Sequence, residues 1–170
     1  MILWLIFCYL LGSIPVAKWI GCDGLGFYGS SEIWRKYGWK KSAIVGTSDF
    51  LKGFIAVSIA SYFHFPVLFI LLSGLLATTG QMFSVFNRMR GGGGLLTTYG
   101  SLFVASPLIA TIMPILVIPL IPFKKAHIGV FLSWIITGGL NLVTQNYLYT
   151  FLVTGHFILV IVSAFIRKHE

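Results

Sequence analysis

Long apolar blocks separated by short basic segments dominate this chain, and that pattern admits few folds. Met1 to Ala17, Phe54 to Phe63 and Pro66 to Leu76 carry no charge, and only 9% of all side chains are charged. A soluble domain carries about a quarter charged residues, because its surface must be hydrated. With 57% hydrophobic residues in 170 and a mean hydropathy of +0.92, one small core cannot take up so much apolar surface. The expectation is an all-α membrane protein forming a single polytopic domain over residues 1–170.

The apolar stretches predict helices at about 1–17, 42–62, 66–87, 95–106, 108–121, 128–145 and 147–166. Met1 to Leu11 lacks a basic leader, and Gly12-Ser13-Ile14-Pro15 is a poor cleavage context, so the segment reads as a retained first membrane helix. Leu95 to Ile121 is interrupted by Pro107, Pro114 and Pro119 and admits one kinked passage or two short ones. Charge placement selects two. With the N-terminus outside, the inner segments then hold Lys18, Arg35, Lys36, Lys40, Lys41, Arg88, Arg90, Lys124, Lys125, Arg167 and Lys168, every Lys and Arg except Lys52. Seven transmembrane or partly spanning helices, N-terminus out and C-terminus in, are therefore expected in a bacterial cytoplasmic (inner) membrane. The net charge of +8 reads as this one-sided bias, and no nucleic-acid partner is expected.

Asp49 and Lys52 lie three residues apart inside a predicted helix, hence on one face. Ionisable groups at membrane depth are costly and need a partner or a polar cavity, so the pair is expected to line an interior pocket. Thr78-Thr79-Gly80-Gln81, Thr97-Thr98, Thr137-Gly138-Gly139 and Asn141 read as close helix packing through small and hydroxylic residues. His64, His127, His156 and His169 are scattered without a carboxylate pattern, and Cys8 and Cys22 stand in unlike settings. No metal site and no cofactor are expected.

The most unusual stretch is Arg88-Met89-Arg90-Gly91-Gly92-Gly93-Gly94. Four successive glycines cost backbone entropy, which points to a functional reason. Amides in such a turn can cradle an anion ahead of a helix start, and two arginines can add charge-assisted bonds. No Lys-Ser or Lys-Thr follows, so it is not a P-loop.

Gly12-Ser13-Ile14-Pro15, Asp49-Phe50-Leu51-Lys52-Gly53 and the run from Gly80 to Gly100 occur in an order that resembles the bacterial membrane glycerol-3-phosphate acyltransferases that use acyl phosphate. The resemblance covers about residues 10–100 and implies a seven-helix fold with its active-site loops on the cytoplasmic face. Where the family reads Gly-His-x-Phe-Pro and then Phe-Lys-Gly-Gly-Lys-Gly, this chain has Gly80-Gln81-Met82-Phe83-Ser84 and Met89-Arg90-Gly91-Gly92-Gly93-Gly94. Gln81 thus stands at the family's His, Ser84 at its Pro and Gly93 at its second Lys. In the earlier loop, Gly24 through Glu32 aligns with Gly-Ser-Gly-Asn-x-Gly-Ala-Thr-Asn, with Leu25, Phe27 and Glu32 at polar positions and Asp23 as a remnant of an acidic-basic element. Near the end, only Arg167-Lys168-His169-Glu170 corresponds to the family's Arg-His element.

Acyl transfer needs donors that hold phosphate and a developing oxyanion. The replacements remove such donors from two loops, and the expectation is a catalytically degenerate member of the family. Such a chain would bind membrane lipid or serve as a subunit beside another integral-membrane protein. The alternative is an active acyltransferase with altered donor or acceptor that makes a lysophospholipid-type product. It would use Arg90, Lys52 and Arg35 for catalysis. Candidate anion- or lipid-binding residues are Arg88, Arg90, Gly91, Gly92, Gly93, Gly94, Thr97, Asp49, Lys52 and Arg35.

Overall fold

The computed structural model of the chain describes residues 1–22, 24 and 28–117, with isolated positions 132, 135, 136, 139, 154, 155 and 158 beyond them. In chain order the helices are α1 (Ile2–Ser13), α2 (Val16–Trp19), α3 (Ser30–Tyr37), α4 (Trp39–Tyr62), α5 (Val67–Met82), α6 (Leu95–Ala105) and α7 (Pro107–Val117). A 3₁₀ turn, Val85–Asn87, follows α5.

α4 and α5 form a hairpin closed by residues 63–66, α1 lies along α5, and α6 lies along α4. Glycines let these backbones touch. A Cβ at Gly12 would overlap the Ala77 carbonyl and one at Gly80 the Tyr9 carbonyl, so α1 and α5 approach through reciprocal glycines. Across α4 and α6, Gly53 meets the Thr97 carbonyl and Gly100 the Phe50 carbonyl in the same way. Small residues serve this purpose in membranes, where lipid competes with side chains for apolar contact and close backbone packing drives association.

The expectation of seven membrane segments is corrected here. The fold is all-α, and among the described residues two helices are long and apolar enough to cross a membrane: Trp39–Tyr62 and, with its terminal turn, Val67–Asn87. Proline placement explains much of the difference. Pro15 has no N–H to donate and fixes its own φ, so the first apolar stretch stops at Ser13 after 12 residues. A helix of that length rises about 18 Å against a hydrocarbon core of roughly 30 Å. Ser106-Pro107 divides the middle region into two helices of 11 residues each. Apart from the isolated positions named above, the helices expected at 128–145 and 147–166 lie outside the described residues, as do residues 118–121, Lys124, Lys125, Arg167 and Lys168, and Asp23, Leu25, Phe27, Thr137, Gly138, Asn141, His127, His156, His169 and Glu170.

One element was not anticipated. α3 falls in a segment expected to be a connecting loop, yet it is a short amphipathic helix laid against the start of α4. Ile33 is fully buried with Ala17, Cys22 and Val45, while Trp34, Arg35 and Lys36 face outward. Ser42 Oγ donates to the Ser30 carbonyl at 2.8 Å, tying the two helix starts together, and Gly38, at φ 84°, makes the reversal between them. Glu32 in its first turn and Arg35 and Lys36 in its last complement the helix dipole.

Candidate functional site

At the end of the bundle where α1 and α5 finish, the broken first helix leaves carbonyls that need partners. Two come from elsewhere in the bundle. Ser84 Oγ donates to the Ser13 carbonyl at 2.5 Å, and Lys52 Nζ, reaching across from α4, donates to the Ile14 carbonyl at 2.7 Å. The proline that ends α1 therefore creates the acceptors that anchor α4 and the segment after α5.

Lys52 uses its other two hydrogens inward. It donates to Asp49 Oδ1 at 3.1 Å, one turn back on the same helix, and to Gln81 Oε1 at 2.5 Å on α5. Lys52, Asp49 and Gln81 are 5%, 6% and 7% exposed, so this is an ion pair and an amide held inside the protein. An isolated charge there would cost several kcal/mol; three acceptors around one ammonium offset that cost.

The glycine segment folds over this cluster. Gly92 N–H donates to the Gln81 carbonyl at 2.8 Å, and Tyr28 N–H donates to the Gly91 carbonyl at 3.2 Å. A Cβ at Gly91 would strike the Gln81 and Met82 carbonyls, and one at Gly94 would meet Met82 Sδ at 2.8 Å, so the loop has to be nearly bare to lie this close. Gly94, at φ 71°, caps the start of α6. Before the glycines, Arg88 and Met89 adopt left-handed φ values of 52° and 63°, uncommon for residues with a Cβ. The turn is held by Asn87 Nδ2 donating to the Arg90 carbonyl at 2.7 Å and Arg90 N–H donating to the Asn87 carbonyl at 3.0 Å.

Between loop and cluster lies a small cavity of about 20 Å³, room for about one water, lined among others by Ser13, Asp49, Lys52, Gln81, Arg90 and Gly92. Of the residues singled out in the sequence, Asp49, Lys52, Arg90, Gly91 and Gly92 meet here. Arg88 points outward and is exposed, while Gly93 and Gly94 continue the loop toward α6. Arg35 sits on the outer face of α3, 3.6 Å from Glu32. Thr97 is fully buried and packs at the Gly53 crossing of α4. The Gly92 amide, expected to be open to an anion, is committed to the Gln81 carbonyl. Gln81, Ser84, Asn87 and Ser13 were not among the expected site residues. Ser13, Gln81 and Ser84 carried a signal in standing at motif positions, whereas nothing local marks Asn87, which acts through a turn set by residues 87–90.

A broken helix, a buried ion pair and a glycine strap over a polar cavity at the end of an apolar helix bundle mark an α-helical membrane protein with a polar interior. A family model described as Glycerol-3-phosphate acyltransferase matches residues 2–170, and the chain belongs to that family. Among curated relatives, the glycerol-3-phosphate acyltransferase of Geotalea daltonii is 35% identical over 130 residues, covering 71% of this chain and 67% of the relative. That of Lactococcus lactis subsp. lactis is 38% identical over 116 residues, covering 63% and 54%. The matched stretch thus spans between about half and two thirds of these relatives. Two crystal structures of PlsY (YgiH), an integral membrane glycerol 3-phosphate acyltransferase, share the fold. The lysophosphatidic acid form has a TM-score of 0.81 at 28% identity, covering 95% of this chain and 86% of that one. The glycerol 3-phosphate form has a TM-score of 0.83 at 26% identity, covering 99% and 90%. With this kinship, the chain is a multi-pass protein of the bacterial inner membrane.

The expectation of a catalytically degenerate scaffold is overturned by the same findings. The chain shares its fold, at 26–28% identity, with an enzyme solved in its glycerol 3-phosphate and lysophosphatidic acid forms.

Proposed function

We propose that the chain is an active membrane acyltransferase that moves an acyl group onto the hydroxyl of glycerol 3-phosphate or a close phosphate-bearing analogue, giving a lysophospholipid-type product. The observation that carries this reading is the Asp49–Lys52–Gln81 cluster beneath the glycine strap, with Arg90 beside it. The kinship supplies the substrates: an acyl phosphate as donor, a glycerol phosphate as acceptor, both bearing phosphate.

Arg90 is the exposed cation lining the cavity, and its planar guanidinium can take two oxygens of one phosphate. With the phosphate held, the acceptor hydroxyl oxygen attacks the acyl carbonyl carbon. The bond between that carbon and the bridging phosphate oxygen breaks, and the hydroxyl proton leaves with the departing phosphate. The protein's part is to align the two substrates and stabilise the developing oxyanion. Lys52, with all its hydrogens engaged by protein acceptors, shapes the cavity and does not itself grip phosphate.

The test is an assay of the full chain in lipid nanodiscs with radiolabelled acyl phosphate and glycerol 3-phosphate. Lysophosphatidate should form above an empty-nanodisc control, and Arg90→Ala should lower kcat/KM by about a hundredfold, the scale of removing one transition-state donor. Absence of product from the parent chain would overturn the reading.

A further inference from the structure

The orientation of the Gln81 amide carries an assignment that rests on the transferase reading and deepens it. An ammonium has three hydrogens and no acceptor, so the atom of Gln81 that meets Lys52 Nζ at 2.5 Å must be the carbonyl oxygen. The flipped amide would set NH₂ against NH₃⁺ inside the protein. Lys52 is itself fixed by Ile14 and Asp49 and cannot turn away. Nε2 is thereby directed to the other side. It lies beneath Gly92, 2.8 Å from where a Cβ at that position would be, in space that only a glycine leaves open. Asp49 is within reach of the amide as well, so one Nε2 hydrogen can meet that carboxylate while the second serves the cavity.

A second polar atom converges on the same place. Ser13 lines the cavity, is fully buried, and its Oγ has no hydrogen-bond partner among the described residues. A buried hydroxyl left unmade is costly and calls for a ligand or a water. The backbone does not compete for this role, because the Gly92 and Arg90 amides are bonded to the Gln81 and Asn87 carbonyls. The side-chain donors left to serve the cavity are the Gln81 amide, the Ser13 hydroxyl and the Arg90 guanidinium, and the Asp49 carboxylate that also lines it is engaged by Lys52.

We propose that Gln81 is a substrate-binding residue whose Nε2 donates to one oxygen that a substrate phosphate places in this water-sized cavity, and that Lys52 is the positioning residue that fixes the amide's polarity. Phosphate accepts and cannot donate when fully ionised, so a one-way donor discriminates in its favour. Ser13 supplies a neighbouring hydroxyl to the same group.

Two substitutions separate this from a structural role for Gln81. Gln81→Glu is isosteric, keeps an acceptor for Lys52, and turns the cavity-facing donor into an acceptor. Gln81→Met removes both ends. If Gln81 only held Lys52, Met would be the more damaging change; if Nε2 binds phosphate, Glu is. The full chain in nanodiscs is titrated with inorganic phosphate and assayed for KM toward glycerol 3-phosphate and toward acyl phosphate, with thermal unfolding measured alongside. Gln81→Glu should weaken phosphate binding tenfold or more, the scale of a lost hydrogen bond to a charged group, and more than Gln81→Met does. The KM that rises identifies which substrate's phosphate is held. Should Gln81→Met not fold, Gln81→Glu against the parent decides alone. Phosphate affinity unchanged in Gln81→Glu, or weakened less than in Gln81→Met, overturns the assignment. Phosphate binding that depends on Gln81 in a chain without turnover would instead overturn the transferase reading and leave this assignment standing.

Discussion

Asp49 and Lys52 show what a single pair of side chains costs and does in this setting. Lys52→Met leaves the Asp49 carboxylate, 6% exposed, without its ammonium, and breaking a buried pair from one side costs about 3–5 kcal/mol. The double change Asp49→Asn with Lys52→Met removes both charges and should recover at least half of that loss. Thermal unfolding in nanodiscs measures it, and a single variant as stable as the parent would mean that the pair is hydrated. That these residues share a helix face was legible from their spacing. That Lys52 also spans to Ile14, just past the end of the first helix, and to Gln81 on α5 was not, because those acceptors are 38 and 29 residues away in sequence. Gln81 could be read as a departure from a motif, but its polarity depends on a lysine that only the fold brings to it.

At the scale of elements, the crossings are set by backbone contact. Gly53 on α4 faces the Thr97 carbonyl of α6, with Ser101 also within contact, and none of these atoms is the end of a flexible side chain free to retreat far. Gly53→Ala should destabilise by about 1–3 kcal/mol, as overpacked cores do. Among the described residues, a Cβ at Gly46, on the same helix, would meet only the Leu96 methyl at 3.2 Å and Ser30 Cβ at 3.7 Å. Gly46→Ala should be neutral or stabilise by about 0.5–1 kcal/mol, the usual gain for replacing an interior helix glycine. Denaturant unfolding in mild detergent compares the two, and equal effects would show that α4 and α6 can separate without loss. The helices themselves were largely readable. The stretches expected at 42–62 and 95–106 correspond to Trp39–Tyr62 and Leu95–Ala105, because uninterrupted apolar runs bounded by charge, glycine or proline leave little choice. Hydropathy passed over Pro15, which shortens the first helix, and missed Ser30–Tyr37, whose Arg35, Lys36 and Glu32 lower the apolar signal while one isoleucine anchors it.

Over the whole molecule, two buried free cysteines report on whether both ends of the bundle open together. Cys8 is fully buried between α1, Ala56 of α4 and Ala77 of α5. Cys22 is equally buried at the other end, packed with Ala17, Ile33 and Val45 beneath α3. Neither should react with a soluble maleimide in nanodiscs, while both should react in sodium dodecyl sulfate, which separates the helices. Gly12→Leu places a side chain into the Ala77 backbone and should part α1 from α5 with little direct effect on the α3–α4 cluster. If local openings in this bundle are independent, mass spectrometry after brief labelling will find Cys8 modified in that variant well before Cys22. Simultaneous modification would mean that the Lys52 bridge from α4 to the Ile14 carbonyl, together with Ser84 on the Ser13 carbonyl, ties the first helix to the cavity end so firmly that the molecule opens as one unit. The two results assign different roles to the break at Pro15: a hinge that lets α1 move while the cavity stays closed, or a joint that the cavity residues lock.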